Sequence, residues 1–334
     1  MNQIKFYSGK KILVAGAGGF IGSHLVDELI SLGANVKATL FKTDPIWKNP
    51  KADYLFVDLR EQKDCMRVTK NIDYVFMCAA NSSGSAVIQN SPLNHLTPNV
   101  LMNTQILSAA YKNKVSKFCF ISSNTVYPVS ENSVTEKDVT GDFFDKYFIV
   151  GWMKYFSEKM CEIYSTRLVE SMSCLIVRPG NLYGPRDKFN KTESKVIASL
   201  VRKVCEKQNP IEVWGDGLDV KDFLYIKDFI DGLIKTFTID KNFEIFNIAS
   251  GEKTTINQVI SELIKIESLN PLMISYNRDM PTMIPKRFID ISKIKELTDW
   301  VPKTTINNGL RETVRWYKQN FNNVNPDGQR YDNF

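Results

Sequence analysis

The segment Gly16-x-x-Gly19-x-x-Gly22 constrains this chain more than any other. It follows the apolar run Ile12-Leu13-Val14-Ala15. It precedes a stretch in which Leu25, Val26, Leu29, Ile30 and Leu32 recur at helical spacing up to Gly33. A short apolar run between polar flanks predicts a strand covered on both faces, as in a parallel sheet. Glycines at this spacing serve three ends: a tight turn, close approach of a ligand to the backbone, and close packing of helix on sheet. The helix start then offers unpaired N–H groups and the positive end of a dipole, which suits a phosphate. With a second strand from Val36 to Phe41, these pieces predict a dinucleotide-binding unit. Gly16, Gly19, Phe20, Ile21 and Gly22 are its expected contacts.

The alternation continues downstream. Strands are expected at Tyr54–Asp58, Asp73–Ala79, Lys117–Ser122 and Ser173–Arg178, with helices near 98–113 and 148–166. Strands separated by helices of this length predict an α/β fold, a Rossmann-type doubly wound parallel sheet. After residue 185 the rhythm loosens: helices are expected at 194–206, 228–237 and 256–266, and a short strand at 211–214. The expected division is a Rossmann domain over 1–185, then a smaller C-terminal substrate lobe over 186–321 that partly returns to the Rossmann body. A polar tail over 322–334 is expected to fray.

Composition narrows the partners. The net charge of +6, from 43 Lys and Arg against 37 Asp and Glu, is spread along the chain. That pattern fits a site for an anionic small molecule better than a nucleic-acid surface. Six cysteines without a CxxC pair read as reduced, mostly buried thiols, and two histidines are too few for a His-based zinc site, so no metal is expected. No apolar run approaches 18 residues and no signal peptide is visible, so a cytoplasmic chain without membrane contact is expected.

The cofactor end departs from the usual arrangement. A carboxylate near the end of the second strand would grip the ribose hydroxyls of NAD, yet Leu40 stands about there, in Val36-Lys37-Ala38-Thr39-Leu40-Phe41-Lys42. Lys37 or Lys42 can instead meet a 2′-phosphate, so NAD versus NADP stays open. Asp58, with Leu59 beside it, suits either the adenine end or a helix cap.

Further motifs are Cys78-Ala79-Ala80, Asn99, Ile121-Ser122-Ser123-Asn124-Thr125-Val126-Tyr127-Pro128, Lys154 with Glu158, and Arg178-Pro179-Gly180-Asn181-Leu182-Tyr183-Gly184-Pro185. Gly215-Asp216-Gly217 and Asp222-Phe223-Leu224-Tyr225-Ile226-Lys227-Asp228 follow. Over nearly its whole length the chain thus resembles the extended short-chain dehydrogenase/reductase family, which includes the NAD-dependent epimerase/dehydratases. Within it, Val75 to Gly84, the Val-Tyr-Pro turn, Asn181 to Phe189 and Pro285 to Asp290 look most like the GDP-fucose synthase subgroup. The resemblance implies an NAD(P)(H) cofactor, with Ala79, Ala80, Asn99 and Lys154 among its contacts. It also implies a nucleotide-diphosphosugar substrate, expected to be GDP-linked.

In that family a Ser or Thr, a Tyr and a Lys act at the sugar C4 group. The resemblance places the first at Ser123 and the last at Lys154, but the Tyr maps to Val150, which cannot exchange a proton. Tyr147, seven residues before Lys154 and roughly 10 Å along a helix, is one substitute. Ser123 backed by Lys154, directly or through water, is another. The subgroup's proton-exchanging Cys maps to Thr125 and its His to Lys195, so a double epimerisation is not expected. Ser123, Asn124, Thr125, Asn181, Lys195, Arg202, Trp214, Lys221 and Arg287 are the implied substrate contacts. Phe156, Met160, Ile163 and Tyr164 form an apolar stripe that family likeness assigns to a homodimer interface. The leading expectation is an NAD(P)-dependent oxidoreductase at C4 of a GDP-hexose or GDP-heptose, in polysaccharide sugar biosynthesis. An epimerase or dehydratase with a replaced tyrosine is the alternative, though Asn124-Thr125 stand where a dehydratase would carry Asp-Glu. A third reading is a non-catalytic cofactor-binding partner.

Overall fold

Residues along β1 (Lys11–Ala15) alternate between two cores: Ile12 and Val14 join one, Leu13 and Ala15 the other, and all four are buried. A strand apolar on both faces needs helices on both sides, and the architecture follows from that. The computed structural model describes residues 3–82, 93–191, 193–269, 273–280 and 282–324. Its further strands are β2 (Asn35–Leu40), β3 (Asp53–Phe56), β4 (Tyr74–Met77), β5 (Lys117–Ile121), β6 (Ser173–Pro179), β7 (Asn181–Tyr183), β8 (Ile211–Trp214), β9 (Val220–Lys221), β10 (Phe223–Tyr225), β11 (Phe243–Ile248), β12 (Thr254–Thr255) and β13 (Ile274–Asn277).

A seven-stranded sheet runs β11-β6-β5-β4-β1-β2-β3, parallel throughout. The order reverses between β1 and β4, the place where doubly wound sheets open a ligand crevice at their carboxyl ends. Helices Phe20–Ser31 and Ile226–Phe237 pack together in one layer, while Gln62–Thr69, Leu93–Lys112 and Phe148–Thr166 pack in series in the other. The Rossmann-type α/β fold expected from the sequence is therefore present. From the C-terminal half β11 adds the seventh strand, beside β6, where the strand rhythm marks no element. The rest of that half builds a smaller unit from helices Val196–Cys205, Ile256–Ile266 and Ile306–Gln319 with the pairs β7–β10, β8–β13 and β9–β12.

Two sequence boundaries shift for local reasons. The helix expected from residue 98 starts at Leu93 and holds Pro98 inside it. Proline has no N–H for the carbonyl of Asn94, and the Asn81 side chain donates to that carbonyl instead, at 2.8 Å. The polar tail does not begin as a frayed end: Val324 is buried and its N–H bonds back to Asn320 and Phe321. Residues 325–334 lie outside the described residues.

A buried polar network ties the two halves together. Glu158, on helix Phe148–Thr166, pairs with Arg178 of β6 at 2.6 Å, and each side chain is 2% exposed. Ser122 donates to Glu158 at 2.5 Å. Arg178 also donates to the Tyr127 hydroxyl and the Glu136 carbonyl, and Tyr127 donates to Asn247 of β11. Removing one partner of such a pair leaves a buried charge uncompensated. Arg178→Met should lower unfolding free energy by about 3–5 kcal/mol in urea titrations, and Glu158→Leu/Arg178→Met by less. A double variant as unstable as the single one would refute this account.

Candidate active site

The dinucleotide loop has the geometry its glycines predict. Gly16 adopts φ +80°, and a Cβ there would lie 2.5 Å from the Ala79 Cα, so β1 and the end of β4 meet only because both residues are small. A Cβ on Gly22 would strike the Gly16 carbonyl. Thr39 holds the loop from β2, its hydroxyl accepting from Gly16 N–H and its carbonyl from Ala17 N–H. Gly19 caps helix Phe20–Ser31 with no side-chain hydrogen bond. The N–H groups of Phe20 and Ile21 thus open the helix without a side-chain acceptor, which fits a dinucleotide phosphate. Asn99 acts one step back: its amide clamps Asn81 N–H and C=O and reaches the His95 carbonyl. It positions the Ala79–Asn81 turn, and its polar atoms are engaged by protein.

At the adenosine end, Leu40 is the last residue of β2 and is buried. Lys37 lies three residues earlier, opposite Asp53, about 10 Å back from the carboxyl edge. The expectation that Lys37 meets the cofactor is corrected on that ground. Lys42 is on the ligand side of the edge and its Nζ sits 5.3 Å from the Phe41 ring centre. Asp58 neither caps a helix nor stands open. Arg60 grips both its oxygens, and that hydrogen-bonded pairing holds its carboxyl below the usual range. The Leu59 side chain is in the core, and its carbonyl accepts from Cys65. Arg60 was missed because its approach to Phe41, 5.1 Å from the ring centre, joins two separate loops.

At the catalytic end, Ser123 opens the short 3-10 turn Asn124–Val126, and its Oγ accepts from both Thr125 N–H (3.2 Å) and Thr125 Oγ1–H (3.0 Å). Its own proton is left to point elsewhere. Lys154 donates to the Ile121 carbonyl at 2.8 Å, so it sits beside the end of β5. Burial lowers its pKa from 10.5 to about 8; Glu158 and Cys78 oppose the shift and the Lys195 charge adds to it. Val150 is one turn before Lys154 on the same helix, the i, i+4 relation that shares a face.

Tyr147 does not join Lys154. It precedes the helix, with φ −110° and ψ 3°, so the helical rise assumed from the sequence does not apply. Its phenol belongs to the charges of the lobe: burial raises its pKa to about 12, Arg287 opposes the shift and Asp219 adds to it. Neither Tyr147 nor Lys154 figures among the charges that shift the other, so Tyr147 is set aside as a partner for Lys154.

The other substrate candidates divide. Lys195 is exposed at the start of helix Val196–Cys205. The Asn181 side chain makes no hydrogen bond among the described residues, and its backbone joins β7 to the Asp222 carbonyl. Asn124 donates to the Pro179 carbonyl and Trp214 to Glu212, so each is held in place by protein. Lys221 is committed to Asp219 and the Ile284 carbonyl. Arg202 pairs with Glu206 at 3.3 Å, and Arg287 donates to the Pro128 and Tyr127 carbonyls. Both guanidinium groups are buried with an Nε that has no partner among the described residues, a donor of the kind that a buried anion satisfies. Burial lowers the Arg287 pKa to about 10.

The apolar stripe also divides. Met160 and Tyr164 turn inward, Tyr164 packing edge-on to Tyr111 at 5.2 Å. Trp152 and Phe156 stack with ring centres 5.4 Å apart and planes 2° apart, and with Ile163 they are exposed. Among the described residues no helix is long and apolar enough to cross a membrane, and no cluster of potential metal ligands occurs.

Comparisons with known proteins bear on the family and the fold. The family described as NAD dependent epimerase/dehydratase matches residues 12–249. GDP-mannose 3,5-epimerase 1 of Oryza sativa subsp. indica is 29% identical, covering 92% of this chain and 82% of its own. Probable GDP-L-fucose synthase 1 of Oryza sativa subsp. japonica is also 29% identical, with 93% of each chain covered. The structure of UDP-glucuronic acid 4-epimerase from Bacillus cereus, in complex with UDP-glucuronic acid and NAD, superimposes with a TM-score of 0.81. That match has 26% identity and covers 92% of this chain and 99% of the other. The chain belongs to the NAD dependent epimerase/dehydratase family and is an enzyme of that superfamily.

The charge relation at the catalytic end is open to direct measurement. In protein carrying lysine labelled at Cε, one resonance should titrate near 8, far below ordinary lysine, and vanish in Lys154→Met. Lys195→Met should move that midpoint upward, because a like charge is removed. An unmoved midpoint would show that the two ammonium groups do not interact.

Proposed function

We propose that this member of the NAD dependent epimerase/dehydratase family transfers hydride between a nicotinamide dinucleotide and C4 of a nucleotide-diphosphosugar, with GDP-hexoses and GDP-heptoses as its substrates. The observation that carries it is Lys154 held at the carboxyl end of β5, where the chain runs on into Ser123, in the same parallel sheet whose β1 ends in the glycine loop. The GDP-linked choice draws on the two rice relatives, whose names carry GDP-sugars; the structural relative instead holds a UDP-sugar. The unpartnered Nε atoms of Arg202 and Arg287 suit a diphosphate.

The dinucleotide, when bound, supplies or accepts the hydride. The protein must then move one proton at the C4 oxygen without a tyrosine. Ser123 serves as the donor in the reducing direction. Thr125 N–H and Oγ1–H, both directed at its Oγ, stabilise the negative charge left when its proton passes to the sugar oxygen. Water ordered by Lys154 returns the proton to Ser123, and a lysine titrating near 8 is matched to that task. A second reading, net epimerisation, draws on the epimerase relatives.

Incubation with GDP- and UDP-sugars, with absorbance at the reduced-nicotinamide band and product mass followed together, separates the readings. Stoichiometric cofactor turnover with a mass change of two hydrogens supports C4 redox chemistry. Unchanged mass with altered stereochemistry supports epimerisation, and loss of water identifies a dehydratase. Ser123→Ala should lower turnover by about 10²–10⁴-fold, while Val150→Tyr leaves it unchanged if Ser123 already handles the proton. A Ser123→Ala enzyme of undiminished rate would end the proposed proton route.

We also propose a homodimer through the face carrying Trp152, Phe156 and Ile163, because stacked exposed aromatics beside a second helix form an apolar patch that a symmetric copy can cover. Phe156→Arg should convert a dimer to a monomer in light scattering; a wild-type monomer would refute the assignment.

A further inference from the structure

We propose that Gly151 is a positioning residue of the reaction: having no side chain, it lets the helix that carries Lys154 rest against the turn that carries Ser123, and so sets the separation of two groups that serve one oxygen. This rests on Ser123 and Lys154 acting together at C4.

The first observation is a glycine that the backbone does not ask for. Gly151 is buried inside helix Phe148–Thr166, and its φ is not positive. A helix interior is weaker with glycine than with alanine, so local structure argues against the residue. Space argues for it. A Cβ at this position would lie 2.8 Å from the Thr125 carbonyl oxygen, and 3.0 Å and 3.1 Å from two carbons of the Phe143 ring. The first distance falls short of an ordinary contact by more than about half an ångström. A backbone oxygen cannot swing aside as the end of a side chain can.

The second is what Thr125 holds. Its carbonyl meets the helix at Gly151, while its N–H and Oγ1–H both donate to Ser123 Oγ, at 3.2 Å and 3.0 Å. One residue therefore touches the helix with one group and fixes Ser123 with two others. On the helix, Lys154 follows Gly151 by nearly one turn, with its ammonium on the Ile121 carbonyl at 2.8 Å. The contact between residues 151 and 125 fixes how far the lysine's helix stands from the serine's turn.

The third is which side would yield to an added methyl. The turn is pinned in three directions: Asn124 donates to the Pro179 carbonyl at 2.9 Å, Arg287 to the Tyr127 carbonyl at 3.0 Å, and the Tyr127 hydroxyl to Asn247 at 2.5 Å. The helix is pinned further along, where Glu158 meets Arg178. Its first turn is looser, and Phe148 there is 51% exposed. A methyl at 151 thus tilts the front of the helix outward about Glu158 and carries Lys154 toward water.

Gly151→Ala is the smallest probe. On whichever GDP- or UDP-sugar the wild type turns over, kcat should fall by about 10–100-fold. KM, and the calorimetric Kd for NAD⁺ or NADP⁺, whichever binds tighter, should change by less than about twofold. In protein carrying labelled lysine, the Lys154 resonance should titrate above the wild-type midpoint of about 8, because an ammonium moved toward water is less desolvated. Phe143→Leu/Gly151→Ala should stay slow, since the Thr125 carbonyl still stands in the way. An undiminished kcat, an unmoved midpoint, or full recovery in the double variant would each overturn the proposal while the reaction stands. So would dinucleotide affinity that falls along with kcat, the mark of a general loosening. A wild type that turns over none of the sugars would remove the reaction and this role with it.

Discussion

The pairing of Glu158 with Arg178 is the interaction on which the site depends. Two charges with almost no exposure are costly to bury, and the pair alone does not repay that cost. The network succeeds because every oxygen and guanidinium edge is used: Ser122, Tyr127, the Glu136 carbonyl and, through Tyr127, Asn247 complete it. Its value is positional. Glu158 is one turn beyond Lys154, and Ser122 immediately precedes Ser123. A helix, three neighbouring strands and the Val-Tyr-Pro turn are thereby locked in one register, with Lys154 and Ser123 as its free ends.

That rigidity explains how the site keeps its form without the tyrosine. Val150 shares the helix face of Lys154 but offers it no polar partner, and Ile121 C=O holds the ammonium instead. Thr125 likewise retains Ser123 through two hydrogen bonds formed within one short turn. The positions of both groups are set by β5 and the segment that follows it, and neither draws a hydrogen bond from the side chain at 150.

Local signals made the first half of the fold legible. Glycine spacing, apolar runs and helical periodicity report on neighbours a few residues apart, and the strands β1 to β6 and their parallel arrangement followed from them. Three misjudgements share a cause in tertiary geometry. Tyr147 was assigned a helical rise although the helix begins at Phe148. Lys37 and Lys42 are equally basic in the sequence, and only the strand end tells that Lys37 lies within β2 and Lys42 beyond it. The stripe Phe156, Met160, Ile163 and Tyr164 divides because helix Leu93–Lys112 covers one edge of it and leaves the other, extended by Trp152, bare. The approach of Arg60 to Phe41 had no sequence signal, since the two come from separate loops.

The two departures from the family pattern stand at opposite ends of one groove, and they have the same form. At the adenosine end the expected carboxylate is Leu40; at the catalytic end the expected phenol is Val150. At the first, Arg60 lies against Phe41 and is paired with Asp58, so the neighbourhood carries its own counter-charge. At the second, burial and the Lys195 charge lower the Lys154 pKa, while Ile121 C=O holds its ammonium in place without a phenol beside it.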